Sequence, residues 1–362
     1  MGQPLRIGIV GVGAISGAYL TTIERLEALR LVAVADLDAA RAAAVAAAYG
    51  ARALTVAELV TDPGVDVVLN LTVPAAHAEI ALAAIAAGKD VYGEKPLAAT
   101  MDEARAILDA AREAGVRVGC APDTVLGTGV QTARKAVDDG LIGTPVAATA
   151  TMVTPGHERW HPNPDFYYQP GGGPLLDMGP YYVTALVTLL GPVESVVGAA
   201  SHSRATRTIG SGPRAGERVP VDVETHVTGV LRHESGVLST LVMSFDTVAS
   251  RASRIEVHGQ KGSLVVPDPN GFDGAVELHL LDGDWQTLPA SAGYRDGARG
   301  FGLADLAATP PATTARANGA LAYHVLDVMT SLLTAAEKGT AVAVASTCER
   351  PAAVASLQHI EG

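Results

Sequence analysis

Three short segments of this chain combine residue types that could do chemistry. In Gly11-Val12-Gly13-Ala14-Ile15-Ser16, two glycines follow an unbroken apolar run. The first glycine permits a tight turn. The second lets a pyrophosphate approach bare backbone at a helix start, where free N–H groups attract anions. Ser16 stands where a third glycine is usual, a position that only has to be small. In Gly93-Glu94-Lys95-Pro96-Leu97 a lysine precedes a proline and is driven out of helical geometry. In the glycine-led run from Gly171 to Tyr182, Asp177 and Tyr181 are spaced i, i+4 and share a face if the segment is helical. A carboxylate and a phenol on one face suit proton handling at a hydroxyl. The plainer alternatives are a helix cap for Asp177 and a core aromatic for Tyr181.

Asp36 ends the second apolar run, so its carboxylate can accept both hydroxyls of an adenosine ribose and would repel a 2′-phosphate. Leu37 and Asp38 follow and Arg41 is a turn away, so NAD is preferred over NADP. Merely capping the next helix is the alternative role for Asp36. His157-Glu158-Arg159-Trp160-His161 matches H-E-x-x-H, which holds zinc only on a continuous helix. Pro155-Gly156 precede it and Pro162 follows it, so no metal site is expected. Trp160, His161, Asn163, Tyr167 and Tyr168 instead offer flat apolar faces and hydrogen-bonding tips of the kind a sugar ring needs, unless the loop packs on its own aromatics. Asp123 and Thr124 are further candidates for substrate contact, and a structural role is expected for His324 and Asp327.

The elements that must position these residues follow two grammars. Over the first third, short β-rich runs (5–10, 31–35, 65–71, 90–92, 116–120) alternate with helical spacing (14–29, 37–49, 75–87, 102–114) closed by Gly50, Gly88 and Gly115. That alternation implies a parallel, doubly wound α/β sheet. Beyond residue 123, alternating runs at 219–232 and 237–245 and a hairpin across 255–266 imply antiparallel pairing, with a late helix over 320–337. The reading is α/β plus α+β: a dinucleotide-binding domain over 1–122 and, over 123–362, a substrate-binding and oligomerisation domain on a large, mostly antiparallel open sheet. Two long polar stretches, 202–219 and 289–319, read as a contact arm or site lid, or as mobile excursions.

Composition narrows the function. The 362 residues are 48% hydrophobic and 18% charged, enough for a large core and two domains. A net charge of −12 argues against a nucleic-acid binder. Cys120 and Cys348, far apart, make neither a disulfide framework nor a zinc ribbon. The apolar stretch 65–88 is interrupted by Asn70, Pro74, His77 and Glu79, so no membrane span is expected there, and the chain reads as cytoplasmic.

Taken together, the fingerprint, Val73-Pro74 with His77, Gly88-Lys89, Glu94-Lys95-Pro96, Gly119, the Asp-x-Gly segment at Asp177, and Gly259 with Gly262 resemble the glucose–fructose oxidoreductase, inositol dehydrogenase and rhizopine-catabolism superfamily (Gfo/Idh/MocA) over nearly the whole chain. The resemblance implies a Rossmann domain and NAD contacts from Gly11, Gly13, Ala14, Ile15, Asp36, Thr72, Pro74, His77, Glu94 and Lys95. It also implies a Lys95–Pro96 bond that is often cis, and a site completed by Asp177 and residue 181. Tyr181 stands where that family usually has histidine, and Thr184 where Asp or Asn is frequent. A phenol with a reference pKa of ~10 is only ~0.1% ionised at pH 7, a deficit of ~4 kcal/mol. A neighbouring ammonium lowers it by ~1–3 units. The expected activity is therefore NAD-dependent hydride transfer at a secondary hydroxyl of a sugar, glycoside or cyclitol, with Lys95, Asp177 and Tyr181 handling the proton, by a homodimer or homotetramer. The alternatives are redox-neutral chemistry on retained NAD (an epimerase, glycosidase or sugar–sugar oxidoreductase) and a non-catalytic NAD- and sugar-binding sensor.

Overall fold

In Leu5–Val10 (β1) the last four residues, Ile7 to Val10, are apolar because both faces of the strand are covered there, and all four are buried. In the computed structural model, which describes residues 3–310 and 313–359, β1 is joined by Leu29–Ala35 (β2), Arg52–Ala53 (β3), Val67–Asn70 (β4), Asp90–Gly93 (β5) and Val118–Cys120 (β6) in one parallel sheet of order β3-β2-β1-β4-β5-β6. The crossovers carry Ser16–Arg25 (α1), Ala39–Tyr49 (α2), Val56–Thr61 (α3), His77–Ala86 (α4) and Met101–Ala114 (α5). Local chemistry fixes their ends. The Asp38 side chain accepts from Ala40 N and Arg41 N to start α2, and Thr100 with Glu103 forms a reciprocal capping box on α5. The strand–helix alternation read from the sequence is present, with ends shifted by a few residues.

The remaining helices are Thr128–Asp138 (α6), Gly173–Leu190 (α7), Phe301–Ala308 (α8) and Gly319–Lys338 (α9). The second sheet has nine strands. Pro145–Val153 (β7), Val193–Ser201 (β8), His226–His233, Leu238–Ser244, Ile255–Gly259, Gly262–Val266, Val276–Leu280, Gln286–Leu288 and Val342–Ala343 make a sheet that is antiparallel except where Leu238–Ser244 runs parallel to β7. The alternating run expected over 219–232 is broken. Arg218–Pro220 pairs with Thr206–Thr208 in a separate small sheet, and β8 takes up pairing only from His226. Pro220 has no N–H to carry a ladder onward, which suits the break. Gly198 and Gly229 face each other across β8 and its neighbour. A Cβ on either would stand 2.6 or 2.5 Å from Leu332 Cδ1, so the paired glycines make the slot in which α9 rests on the sheet. By length and composition α9 could cross a membrane, yet 61% of its apolar window is buried inside the protein, which accounts for its apolarity.

The chain divides into two units: one runs to Thr128 and takes back Gly293–Tyr323 and the segment from Pro351, and the other holds Gly129–Ala292 and His324–Arg350. The single boundary expected at 122/123 thus differs from the structure, in which 293–323 packs with the dinucleotide-binding fold. Buried polar groups explain the return. Asp123, fully buried, accepts through Oδ2 from Gly300 N (2.8 Å) and Gly302 N (3.0 Å). Asp305, also fully buried, accepts from Tyr294 Oη (2.8 Å) and pairs with Arg316. Neither long polar stretch is a bare excursion: 289–319 contains the buried α8, and 202–219 carries two short strands around a buried Arg207.

Burial pushes the Asp123 carboxyl up to about 6, with the N–H groups of Gly302 and Gly300 pulling the other way. A carboxyl raised in the folded state keeps its proton where the unfolded chain has lost it, so stability falls as pH rises from about 4 to 6 and stays low above. The shift corresponds to roughly 3 kcal/mol. Asp123→Asn is therefore expected to gain stability over the wild type at pH 7.5 but not at pH 4.5; denaturant melts that show the same difference at both pH values would contradict this.

Candidate functional site

The carboxyl edge of the parallel sheet gathers most of the first unit's candidate residues. After β1 the chain turns at Gly11 with φ +91°, and a Cβ there would meet Leu71 O at 2.8 Å, so only glycine fits. At Gly13 nothing lies within 4 Å of where a Cβ would stand. Gly13, Ala14 and Ile15 lead into α1, where N–H groups lack helical acceptors, and this open, donor-rich cradle fits a dinucleotide pyrophosphate. Asp36 closes the other end. Its Oδ2 accepts from Val12 N (2.8 Å), and its Oδ1 accepts from Asp38 N (2.9 Å) and Arg41 Nη2 (2.7 Å). Burial alone would raise this carboxyl; the bonds from Arg41, Asp38 and Val12 hold it below the usual range, so it is a carboxylate. The sequence reading left Arg41 a turn away, whereas the structure lays its guanidinium on Asp36.

Between the β4 and β5 loops, His77 acts as a clamp. The ring is 2% exposed, with Nδ1 2.7 Å from Pro96 O and Nε2 3.1 Å from Thr72 O. Burial lowers its pKa, so the neutral ring donates to one carbonyl at a time. Asn70 continues the network: its side chain donates to His77 O (3.0 Å) and accepts from Thr72 Oγ1 (2.6 Å). Glu94, buried, accepts from Tyr19 Oη (2.7 Å) and Lys95 N (3.1 Å). The Lys95–Pro96 bond is cis, as the resemblance implied. Pro74 begins an exposed turn just before α4. These contacts fix the backbone on which Lys95 stands.

In the second unit, Asp177 and Tyr181 lie one turn apart within α7, so the expected helical spacing is real. Gly172, not Asp177, caps that helix. Tyr181 is 5% exposed. His157 Nδ1 lies 3.6 Å from Asp177 Oδ2. The imidazole is held among aromatics, 4.4 Å from Phe245, 4.7 Å from Tyr167 and 5.3 Å from Trp160 between ring centroids. Glu158 faces inward, taking the Tyr168 hydroxyl and Arg207. Arg207, whose side chain is fully buried, also pairs with Asp246. Buried charges persist only when paired, and this chain of pairs sits directly behind His157.

Not every expected residue faces outward. Trp160 is 59% exposed and His161 lies edge-on to it at 5.4 Å, so both are available to a ligand. Tyr167 is nearly buried beneath Phe166 and His157. Tyr168 is fully buried with its hydroxyl on Glu158, so it supports the loop rather than presenting a face. Asp123, equally buried, ties down the returning segment. The sequence reading missed Asn70, His157, Phe166 and Arg207. Asn70 carried a signal, a polar residue at the end of an apolar strand; the pairing of His157 with Asp177 carried none.

The family description "Oxidoreductase family, NAD-binding Rossmann fold" matches residues 5–121, and "GFO/IDH/MocA C-terminal domain" matches 130–265. The 1,5-anhydro-D-fructose reductase of Ensifer adhaerens is 37% identical over 213 residues, 58% of this chain and 59% of that protein, so this match spans about three fifths of the relative's length. The myo-inositol 2-dehydrogenase of Thermotoga maritima is 28% identical over 289 residues, 76% of this chain and 82% of that protein. Among solved structures, an NAD binding oxidoreductase from Klebsiella pneumoniae superposes with a TM-score of 0.83 at 26% identity, covering 95% of this chain and 100% of its own. With both halves matched in order, the chain belongs to the Gfo/Idh/MocA family of NAD-binding oxidoreductases.

Proposed function

We propose that this chain transfers hydride between a secondary hydroxyl of a sugar, glycoside or cyclitol and NAD. The observation that carries the reading is the trio on the second unit: a partly exposed carboxylate, Asp177, with a phenol one helical turn on and an imidazole 3.6 Å away. The names of the relatives, a reductase of an anhydro sugar and a dehydrogenase of inositol, support that substrate class. Bound NAD would supply the hydride-accepting nicotinamide, with the Gly11–Ile15 turn and Asp36 holding its adenosine and pyrophosphate end. Tyr181 takes the hydroxyl proton, and Lys95 is the further group assigned to handling it. Asp177 holds an adjacent hydroxyl, and His157 fixes the direction of that carboxylate. Asp36 binds the adenosine ribose, and its negative charge disfavours a 2′-phosphate. Trp160 and His161 receive the sugar ring. We place the protein in the cytoplasm, where its free Cys120 and Cys348 suit a reducing environment.

Copies pair, in this reading, through the open face of the nine-stranded sheet. The register aligns Val197, Val230, Thr240 and Thr149 in one cross-strand row. Such an uncharged patch is what a stable interface covers.

The first assay is NADH formation with a panel of cyclitols, sugars and glycosides. Lys95→Ala and Tyr181→Phe are each expected to lower kcat by about 10²-fold or more, and full turnover in either variant would refute the assignment. His157→Phe keeps a flat ring without nitrogens. It should lower kcat/KM roughly tenfold, an effect of ~1.4 kcal/mol, and alter the pH profile, while NAD affinity measured by fluorescence stays unchanged.

Asp36→Ala should weaken NAD about tenfold and narrow the gap to NADP, as titration calorimetry would show; equal NAD affinity would rule out the ribose contact. Thr240→Arg should shift the protein to monomer in light scattering, whereas an unchanged mass would place the interface elsewhere.

A further inference from the structure

The second unit contains a cavity of about 490 Å³ that the proposed chemistry does not use. Its walls include Arg159, Arg204, Arg207, Arg218 and Thr208, and its only acidic lining residue is Glu158. In a chain of net charge −12, this gathering of guanidinium groups stands against the overall balance.

The charges around the cavity are not cancelled from within. Both oxygens of Glu158 are engaged, one by the Tyr168 hydroxyl and the other by Arg207. The side chains of Arg159, Arg204 and Arg218 have no carboxylate partner among the described residues. The nearby Arg214 differs, since Asp165 and Glu217 both pair with it. Arg218 is held in place by Thr206 Oγ1, which accepts from Nε (3.2 Å) and Nη2 (2.6 Å). Beneath them Arg207 is anchored by Glu158, Asp246 and Phe245 O (3.1 Å), and its buried Nε has no acceptor among the described residues. Gly210 N donates to Glu158 O (2.7 Å), which pins the two sides of the cavity together.

Three guanidinium groups with no carboxylate partner among the described residues surround a concave polar space and form forks that match the oxygens of phosphate or carboxylate. We propose that this cavity binds a small oxyanion, a phosphate group foremost, either as a free ligand or as a substituent on a sugar. Its volume is ample for a phosphate and for a hexose phosphate. The site is built on the hairpin of 206–208 and 218–220 and on the turn at His157, so it lies in the same unit as Asp177 without using that residue.

Titration calorimetry on the full chain with NAD present tests this, using inorganic phosphate and glucose 6-phosphate as probes. Both should bind the wild type, and the double variant Arg204→Gln/Arg218→Gln should weaken each at least tenfold while leaving the melting temperature and NAD affinity unchanged. Comparable affinities for the two probes would assign a free phosphate ligand. Tighter binding of the sugar phosphate than of phosphate or glucose would assign a phosphorylated sugar. The readout is binding alone, so it stands or falls separately from any dehydrogenase activity. No binding of either probe at millimolar concentration, or equal binding by the double variant, would overturn the proposal. So would a change of oligomeric state in the double variant without phosphate binding, which would make the arginines an interface between copies.

Discussion

A parallel strand cannot be followed by its neighbour through a hairpin; each connection must cross the sheet and return. In this chain that constraint decides where chemistry is possible. The order β3-β2-β1-β4-β5-β6 runs outward from β1 in both directions, so the connections after β1 and β4 leave to opposite faces and open a crevice between them. The turn at Gly11, the Thr72–His77 loop and the Glu94–Pro96 loop all emerge at this same edge.

Loops at such an edge are held by polar groups that burial obliges to find partners. His77 bridges carbonyls of two successive loops, and Asn70 links that bridge back to its own strand. Asp123 recruits the backbone of Gly300 and Gly302 from a segment more than a hundred residues away. On the second unit Arg207 joins Glu158 to Asp246, and so secures the turn that carries His157. These contacts are poor sources of net stability, since desolvation offsets most of the attraction. What they supply is direction: each leaves one arrangement in which no buried charge or donor is stranded.

This distinction explains what could be read from the sequence. Period and punctuation are local, so the alternation of strands and helices, the glycine turn, the glycines that close α2 and α5 and the spacing of Asp177 and Tyr181 on α7 were all legible. Pairings made by single buried polar groups are not local. Nothing near Asp123 announces that it captures residues 300 and 302, so 289–319 read as a long polar stretch of the second domain, whereas 293–323 belongs to the first unit. The run at 219–232 alternates as a strand should, but only register with β8 shows that it serves two different sheets. Tyr168 carries the composition of a ligand-facing aromatic, and burial against Glu158 gives it another task.

The segment His157–His161 shows how a motif can mislead and still matter. Its letters fit a metal helix, yet Gly156 adopts φ +111°, His157–Arg159 form a single 3-10 turn, and both imidazoles pack against Trp160 and Tyr167. His161 goes to the exposed aromatics, and His157 turns inward to Asp177. The consequence bears on Tyr181. A phenol with a reference pKa of ~10 is a weak base near neutrality. Here an imidazole reaches the same carboxylate from a different segment, twenty residues earlier. The unit therefore holds a carboxylate and an imidazole 3.6 Å apart, with a phenol one turn further along α7, although no stretch of α7 encodes all three.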